Sequence, residues 1–228
     1  ETHVTPETKR RVLSLGVTPA LQRILRFKTF TPHKVNRALA VHQSAAGKAV
    51  NVGMALAAFG HEAWVTGFNG GDTGRCVLED MRRRGARACF TPLETPTRIC
   101  TTILEEGGRE TELVEETTVP PAGAIEQFVS SALRRLEVCQ ALAISGTLPP
   151  FLDDAFYRPF ALLAQSRRLP WMIDSHRKPL LAVLSCRPLV AKMNREELAA
   201  TFGSHCAKPN EVLRHAGEIL ARGAQWVL

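Results

Sequence analysis

The feature that most constrains this chain is the regular exchange of short β-branched or apolar runs for longer segments of helical period. Runs at Val12 to Val17, Ala63 to Phe68, Ala141 to Ser145, Trp171 to Asp174, Leu189 to Lys192 and Gln225 to Leu228 read as strands. Between them, Ala46 to Phe59, Asp72 to Arg84, Ala122 to Leu136, Leu152 to Ser166, Asn194 to Phe202 and Pro209 to Arg222 read as helices. Such alternation predicts an α/β fold: a mostly parallel sheet with helices on both faces.

Two places break the rhythm. Arg23 to Phe30 runs into Val35 to His42, and Thr97 to Leu104 runs into Glu110 to Glu115, with no helix between the members. These four segments are expected to form a small accessory sheet, with lid segments at about residues 22–43 and 96–116 and with "EEGGRE" as a hairpin turn. No internal repeat or low-complexity tract interrupts a single domain over 1–228.

At 45% hydrophobic and 22% charged, the 228 residues carry enough apolar material for one sizeable core. The polar start "ETHVTPETKRR" has no apolar run behind it, and no segment is long enough to cross a bilayer. A soluble, cytoplasmic protein with no membrane partner is expected. The six cysteines are scattered without metal-ligand or C-x-x-C spacing, so reduced thiols are expected. A net charge of +7 favours anionic partners, either nucleic acid or phosphorylated small molecules. The densest basic run, Met81 to Arg87, ends a helix, where cations meet the negative end of the dipole. With a single tyrosine there is little to stack on bases, so no nucleic-acid partner is expected.

Chemistry concentrates where strands give way to helices. "AAGKAVNVG" at Ala45 to Gly53 lacks the upstream glycine and the following serine or threonine of a nucleotide P-loop. What remains is a helix start whose free N–H groups suit an anion or sugar hydroxyls, or else a plain core helix. Asp174 ends a strand at the edge where α/β proteins bind ligands. Asn194 and Glu197 have the spacing of a capping box.

Several stretches, in order, resemble the PfkB group of ribokinase-like carbohydrate kinases, especially the 1-phosphofructokinase and tagatose-6-phosphate kinase branch. "TPALQR" at Thr18 to Arg23 resembles N-P-A-L-D-R, "VNR" at Val35 to Arg37 matches V-N-R, and "AGKAVNV" resembles G-G-K-G-x-N-V. "GFNGGDTG", "TRIC", "SGTLPP" and "KMNREEL" follow in register. The resemblance implies a three-layer ribokinase-like fold with a β lid, and a homodimer formed through that lid. It implies transfer of the ATP γ-phosphoryl group to a hydroxyl of a sugar phosphate, with Mg2+ as cofactor.

By the same resemblance, Gln22, Arg37, Ala46, Gly47, Lys48, Asn51, Arg98 and Thr147 would contact the sugar phosphate. Arg98 would grip its phosphate, because a planar guanidinium can bind two oxygens at once. Asp174, Lys192, Asn194 and Glu197 would serve the nucleotide and the metal, Glu197 acting on Mg2+ through water. Departures bear on the substrate: Thr18 and Gln22 replace asparagine and aspartate, Ala46 and Ala49 replace glycines, and Cys100 and Met193 replace asparagine and proline. The family's late G-x-G-D motif, whose aspartate is the catalytic base, does not occur in these 228 residues. The expectation is a kinase whose parent protein continues past Leu228, so that the C-terminal part of the family fold lies outside this chain. The alternative is a non-catalytic sugar-phosphate-binding or regulatory homologue.

Overall fold

The computed structural model describes residues 9–228. The chain enters the main sheet as β1 (Arg11–Leu15), leaves it for β2 (Ala20–Phe27) and β3 (Ala40–Ala46), and returns through α1 (Lys48–Ala58) to β4 (Glu62–Val65). A short β5 (Phe68–Gly70) leads into α2 (Gly71–Arg83), followed by β6 (Arg87–Ala88), β7 (Thr91–Leu93), β8 (Ile99–Glu105) and β9 (Glu110–Val114). The second half alternates strictly at first: α3 (Ala124–Leu136), β10 (Ala141–Ser145), α4 (Arg158–Ser166), β11 (Trp171–Asp174), α5 (Arg177–Leu181), then β12 (Val190–Lys192). It closes with α6 (Arg195–Phe202), α7 (Pro209–Ala221) and β13 (Trp226–Val227).

Seven strands form one sheet in the order β13-β12-β11-β10-β1-β4-β6, every pairing parallel. The period of two sorts its side chains between two layers. Leu13, Leu15, Leu142 and Ile144 face a cluster with Phe128, Tyr157 and Phe160 from the α3 and α4 side. Ser14, between the leucines, turns the other way and donates to the Ala49 carbonyl of α1 at 2.7 Å. Phe128 stands at the centre of the first layer, 5.1 Å from Phe68, 5.8 Å from Phe156 and 6.4 Å from Phe160 between ring centroids. Each such ring taken out of water is worth about 1.5–3 kcal/mol. Helices on both faces of a parallel sheet give the three-layer, ribokinase-like α/β architecture.

A second, smaller core joins α1 and α2 to the accessory sheet through Leu21, Ala45, Val50, Val65, Val77 and Met81. Buried Asp80 fastens this joint: it accepts the Ala45 N–H at 2.8 Å and pairs with Arg83 at 3.1 Å and Arg84 at 3.3 Å. The basic run therefore does end a helix, and part of it neutralises this carboxylate. The accessory sheet has the order β3-β2-β8-β9, with a parallel β2–β8 centre and antiparallel flanks.

Several boundaries differ from the sequence-based expectation. The strand expected from Val35 begins only at Ala40, because Asn36 spends its side chain on a loop: it accepts from Thr31 N and donates to the Thr31 and Lys34 carbonyls. The helix expected from Leu152 begins at Arg158, with Pro159 in its first turn and Asp153 holding the Ala155 N–H in a preceding turn. Ala46, expected to open α1, is the last residue of β3 and pairs with Ala20. The pair β5 and β7 makes a separate two-stranded sheet that was not anticipated. All six cysteines are free thiols. Among the described residues no helix is long and apolar enough to cross a membrane.

Candidate active site at the carboxyl ends of the strands

Parallel strands all present their carboxyl ends to one edge, and the candidate residues collect there. Asp174 is the last residue of β11 and Lys192 the last of β12; Ser145 ends β10. Their register places Ser145 beside Asp174 and Asp174 beside Lys192. Lys192 Nζ lies 3.3 Å from Asp174 Oδ1, and Ser145 Oγ donates to Asp174 Oδ2 at 3.3 Å.

Lys48 reaches the same group from the first turn of α1. Its Nζ lies 2.8 Å from Glu197 Oε1 and 3.3 Å from Asp174 Oδ1. A residue assigned by resemblance to the sugar side thus meets two assigned to the nucleotide side. Burial by itself would pull the Lys48 ammonium down; the hydrogen bond it donates to Glu197 and the charge of Asp174 outweigh it and hold it above the ordinary lysine range. Glu197 shows the mirror image: burial would raise its carboxyl, but Lys48 and the Asn194 N–H hold it below the usual carboxylate range. Two carboxylates and two ammonium groups share the cluster, so it is electrically balanced.

Glu197 is also fixed by its own helix. Asn194 Oδ1 accepts the Glu197 N–H at 2.8 Å and Glu197 Oε2 accepts the Asn194 N–H at 2.9 Å, a complete capping box. One carboxylate oxygen therefore caps α6 while the other faces Lys48. His176 stands nearby, its Nδ1 3.9 Å from Glu197 Oε1, beyond hydrogen-bond distance. Burial lowers its pKa, an effect the Glu197 charge only partly offsets.

These shifts set an acid limit to stability. Glu197, depressed in the fold, contributes stability above its unfolded value that is lost as the pH falls through its folded one. His176, held neutral by burial, opposes folding once the pH drops below the ordinary histidine value of 6.5. Both terms have the same sign, so the urea midpoint should decline steadily from pH 7 to pH 4. A flat profile across that interval would contradict this electrostatic picture.

The start of α1 depends on close backbone approach. Gly47 adopts φ 110, and a Cβ there would lie 3.0 Å from the Thr18 carbonyl oxygen. The methyl of Ala49 faces the backbone of Gly16, where an added Cβ would come within 2.6 Å of it. The methyl that replaces a family glycine is thus accommodated by the glycine that follows β1. Asn51 lies exposed one turn along α1.

Arg98 joins the Gly47 corner through the same carbonyl: its Nη2 donates to Thr18 O at 3.4 Å and its Nη1 to Glu115 O at 3.1 Å. Its Nε is buried without a partner. Thr147 lies exposed on a cleft of about 310 Å3 beyond β10 and β11, whose lining includes Ser175, His176 and Lys178. Ser175 Oγ and His176 Nδ1 are buried there without hydrogen-bond partners, leaving polar atoms for a ligand to satisfy.

Two assigned residues stand apart from the charged cluster. Gln22 is committed within the accessory sheet, where its Nε2 donates to Thr102 Oγ1 at 2.7 Å. Arg37 is exposed in the loop before β3, with no hydrogen bond or ion pair among the described residues. Ser145, Ser175 and His176 are the functional candidates that sequence reasoning passed over. Ser145 could have been noticed as the strand-ending residue of "SGTLPP", whereas nothing local marked the histidine.

A metal and a nucleotide can be tested against these groups. Among the described residues there is no cluster of three or more His, Cys, Asp or Glu side chains able to enclose a metal ion. Mg2+ needs no such cage, since it keeps several waters and binds through one or two carboxylates together with phosphates. Asp174 and Glu197 fit that role, and the unpartnered Ser175 hydroxyl, with Lys178 on the same cleft, fits a phosphate-bearing neighbour.

Residues 10–228 match the family model described as pfkB family carbohydrate kinase. Among solved structures, the tetrameric inhibited form of phosphofructokinase-2 from Escherichia coli matches with a TM-score of 0.83 at 24% identity, covering 96% of this chain and 72% of that one. The same enzyme in complex with fructose-6-phosphate gives 0.82 at 22% identity, with 96% and 72% covered. A Thermotoga maritima protein described as a possible 1-phosphofructokinase gives 0.84 at 22% identity, covering 93% of this chain and 69% of that one. These likenesses establish the fold, and the family match covers all but the first residues: the chain belongs to the pfkB family of carbohydrate kinases.

Proposed function

We propose that this protein is an ATP-dependent hexose-phosphate kinase of the 1-phosphofructokinase type. The observation that carries the reading is the convergence of Lys48, Asp174, Lys192 and Glu197 at the carboxyl ends of the strands, next to the α1 start. Phosphoryl transfer asks a protein mainly for positioning and charge stabilisation, which such a cluster supplies. Gly47 and Asn51 line the sugar side, and Arg98, whose buried Nε is unpartnered, takes the substrate's phosphate. Gln22 and Arg37 reach the sugar when the accessory sheet closes as a lid, and Ala46 and Thr147 border the bound substrates.

When bound, Mg2+ neutralises the charge of the nucleotide phosphates. Asp174 and Glu197 would hold it, Glu197 through water, with Lys48 and Lys192 orienting those carboxylates and Asn194 fixing Glu197. The catalytic base is not among these residues, because no G-x-G-D occurs in them. Exposed Val41 on β3 and Leu113 and Val114 on β9 put apolar side chains on the outer strands of the accessory sheet, which supports a homodimer through that sheet.

An ADP-release assay on the full-length parent protein with fructose 1-phosphate, fructose 6-phosphate and tagatose 6-phosphate tests the activity. Turnover that requires Mg2+ is expected; binding of a sugar phosphate without turnover of any would favour the non-catalytic reading instead. Arg98→Ala should weaken the phosphorylated sugar about tenfold, the worth of a charged hydrogen bond, and leave the unphosphorylated sugar almost unaffected. An equal loss for both would remove Arg98 from the phosphate.

A further inference from the structure

We propose a second ligand site, for an anionic small molecule, at the opposite end of the main sheet. A cavity of about 340 Å3 opens where β11, β12 and β13 begin, lined by Gln165, Arg168, Trp171, Cys186, Arg187 and Gln225 among others. Its volume lies in the range that holds small metabolites. Trp171 and Cys186 form a buried wall, joined by a 3.3 Å hydrogen bond from Trp171 Nε1 to the Cys186 carbonyl. No acidic residue lines the cavity. Among the described residues the side chains of Gln165, Arg168, Arg187 and Gln225 make no hydrogen bond or ion pair, so two guanidinium forks and two amides face the space unpaired.

The backbone adds an independent argument. Arg168 and Arg187 both adopt left-handed conformations, at φ 55 and φ 58, where the chain leaves α4 and the 3-10 turn Leu184–Cys186. At the ends of α1, α2 and α6 the same left-handed turn falls on glycine, at Gly60, Gly85 and Gly203. A side chain at such a position is strained relative to glycine, so arginine at the two positions that border the cavity is retained at a cost to stability. A planar fork that binds two oxygens of a phosphate or carboxylate accounts for that choice. The site does not rest on the kinase reading, since Asp174 and Lys192 stand at the other ends of β11 and β12.

The test is calorimetric titration with pyrophosphate and, separately, with citrate at fixed ionic strength, on the protein and on Arg168→Gly/Arg187→Gly. Glycine keeps the turn, so the variant should melt no lower than the parent while binding of the better anion weakens about tenfold or more. The stronger of the two probes identifies the anionic group. Hydrogen exchange should show protection at residues 165–171 and 186–189 on binding. Unchanged affinity in the variant, no binding of either probe, or protection confined to residues 47–51 and 194–197 would each overturn the site.

Discussion

Lys48→Met should reduce phosphoryl transfer by about 100-fold to 1000-fold, the usual consequence of losing one preorganised charge from a transition state. Lys48 is the only residue of the cluster that comes from the first half of the chain, and it bridges Glu197 at 2.8 Å and Asp174 at 3.3 Å. Without it, Lys192 alone faces the two carboxylates, and their repulsion disturbs the geometry offered to a metal and phosphates. A second measurement separates a chemical role from a structural one. The hydrogen bond from Lys48 is the leading influence that lowers the Glu197 carboxyl against its burial. Its removal should move that carboxyl up toward the ordinary value of 4.5, visible in an NMR titration. Glu197 would then contribute less stability above its unfolded pKa, so parent and variant should differ most at neutral pH and converge on acidification. Lys48→Arg keeps the charge and should recover part of the activity. Unchanged turnover in Lys48→Met, with the titration shifted as expected, would leave Lys48 a purely structural residue.

How far the sequence reveals such a cluster depends on distance along the chain. The long elements were legible because periodicity is local: the positions that pack into the two layers recur within a turn or two of a helix, or alternate along a strand. Errors arose where side chains compete with backbone pairing, as Asn36 does in the loop before β3 and Asp153 does before α4. The charged cluster was only half legible. Asp174, Lys192, Asn194 and Glu197 could be placed on one strand edge from local pattern. That Lys48 joins them, across 126 and 149 positions of sequence, follows from the parallel order that puts β10 beside β1 and α1 over both. His176 was missed because its neighbourhood is made by α6 folding back, and the space for the Ala49 methyl was not legible locally because it comes from Gly16.

Glu197 should separate two functions that its sequence context could not. Glu197→Gln preserves the capping box, because an amide oxygen can accept the Asn194 N–H as the carboxylate does. Glu197→Ala loses that reciprocal bond as well as the charge. The alanine variant should therefore be less stable than the glutamine variant by about 1 kcal/mol, the typical worth of a helix cap. Activity should not follow stability: both variants should lose about 100-fold or more and need much higher Mg2+ concentrations, since neither presents a charge at the Oε1 position. A glutamine variant with parental activity and Mg2+ dependence would show that the residue is a cap alone. The geometry argues otherwise. Tying Oε2 to the helix start at 2.9 Å leaves the carboxylate one free direction, and that direction leads to Lys48 at 2.8 Å. The cap thereby removes the rotational freedom that a glutamate on a surface helix would have to lose on binding a hydrated cation, so the local motif and the long-range site reinforce each other.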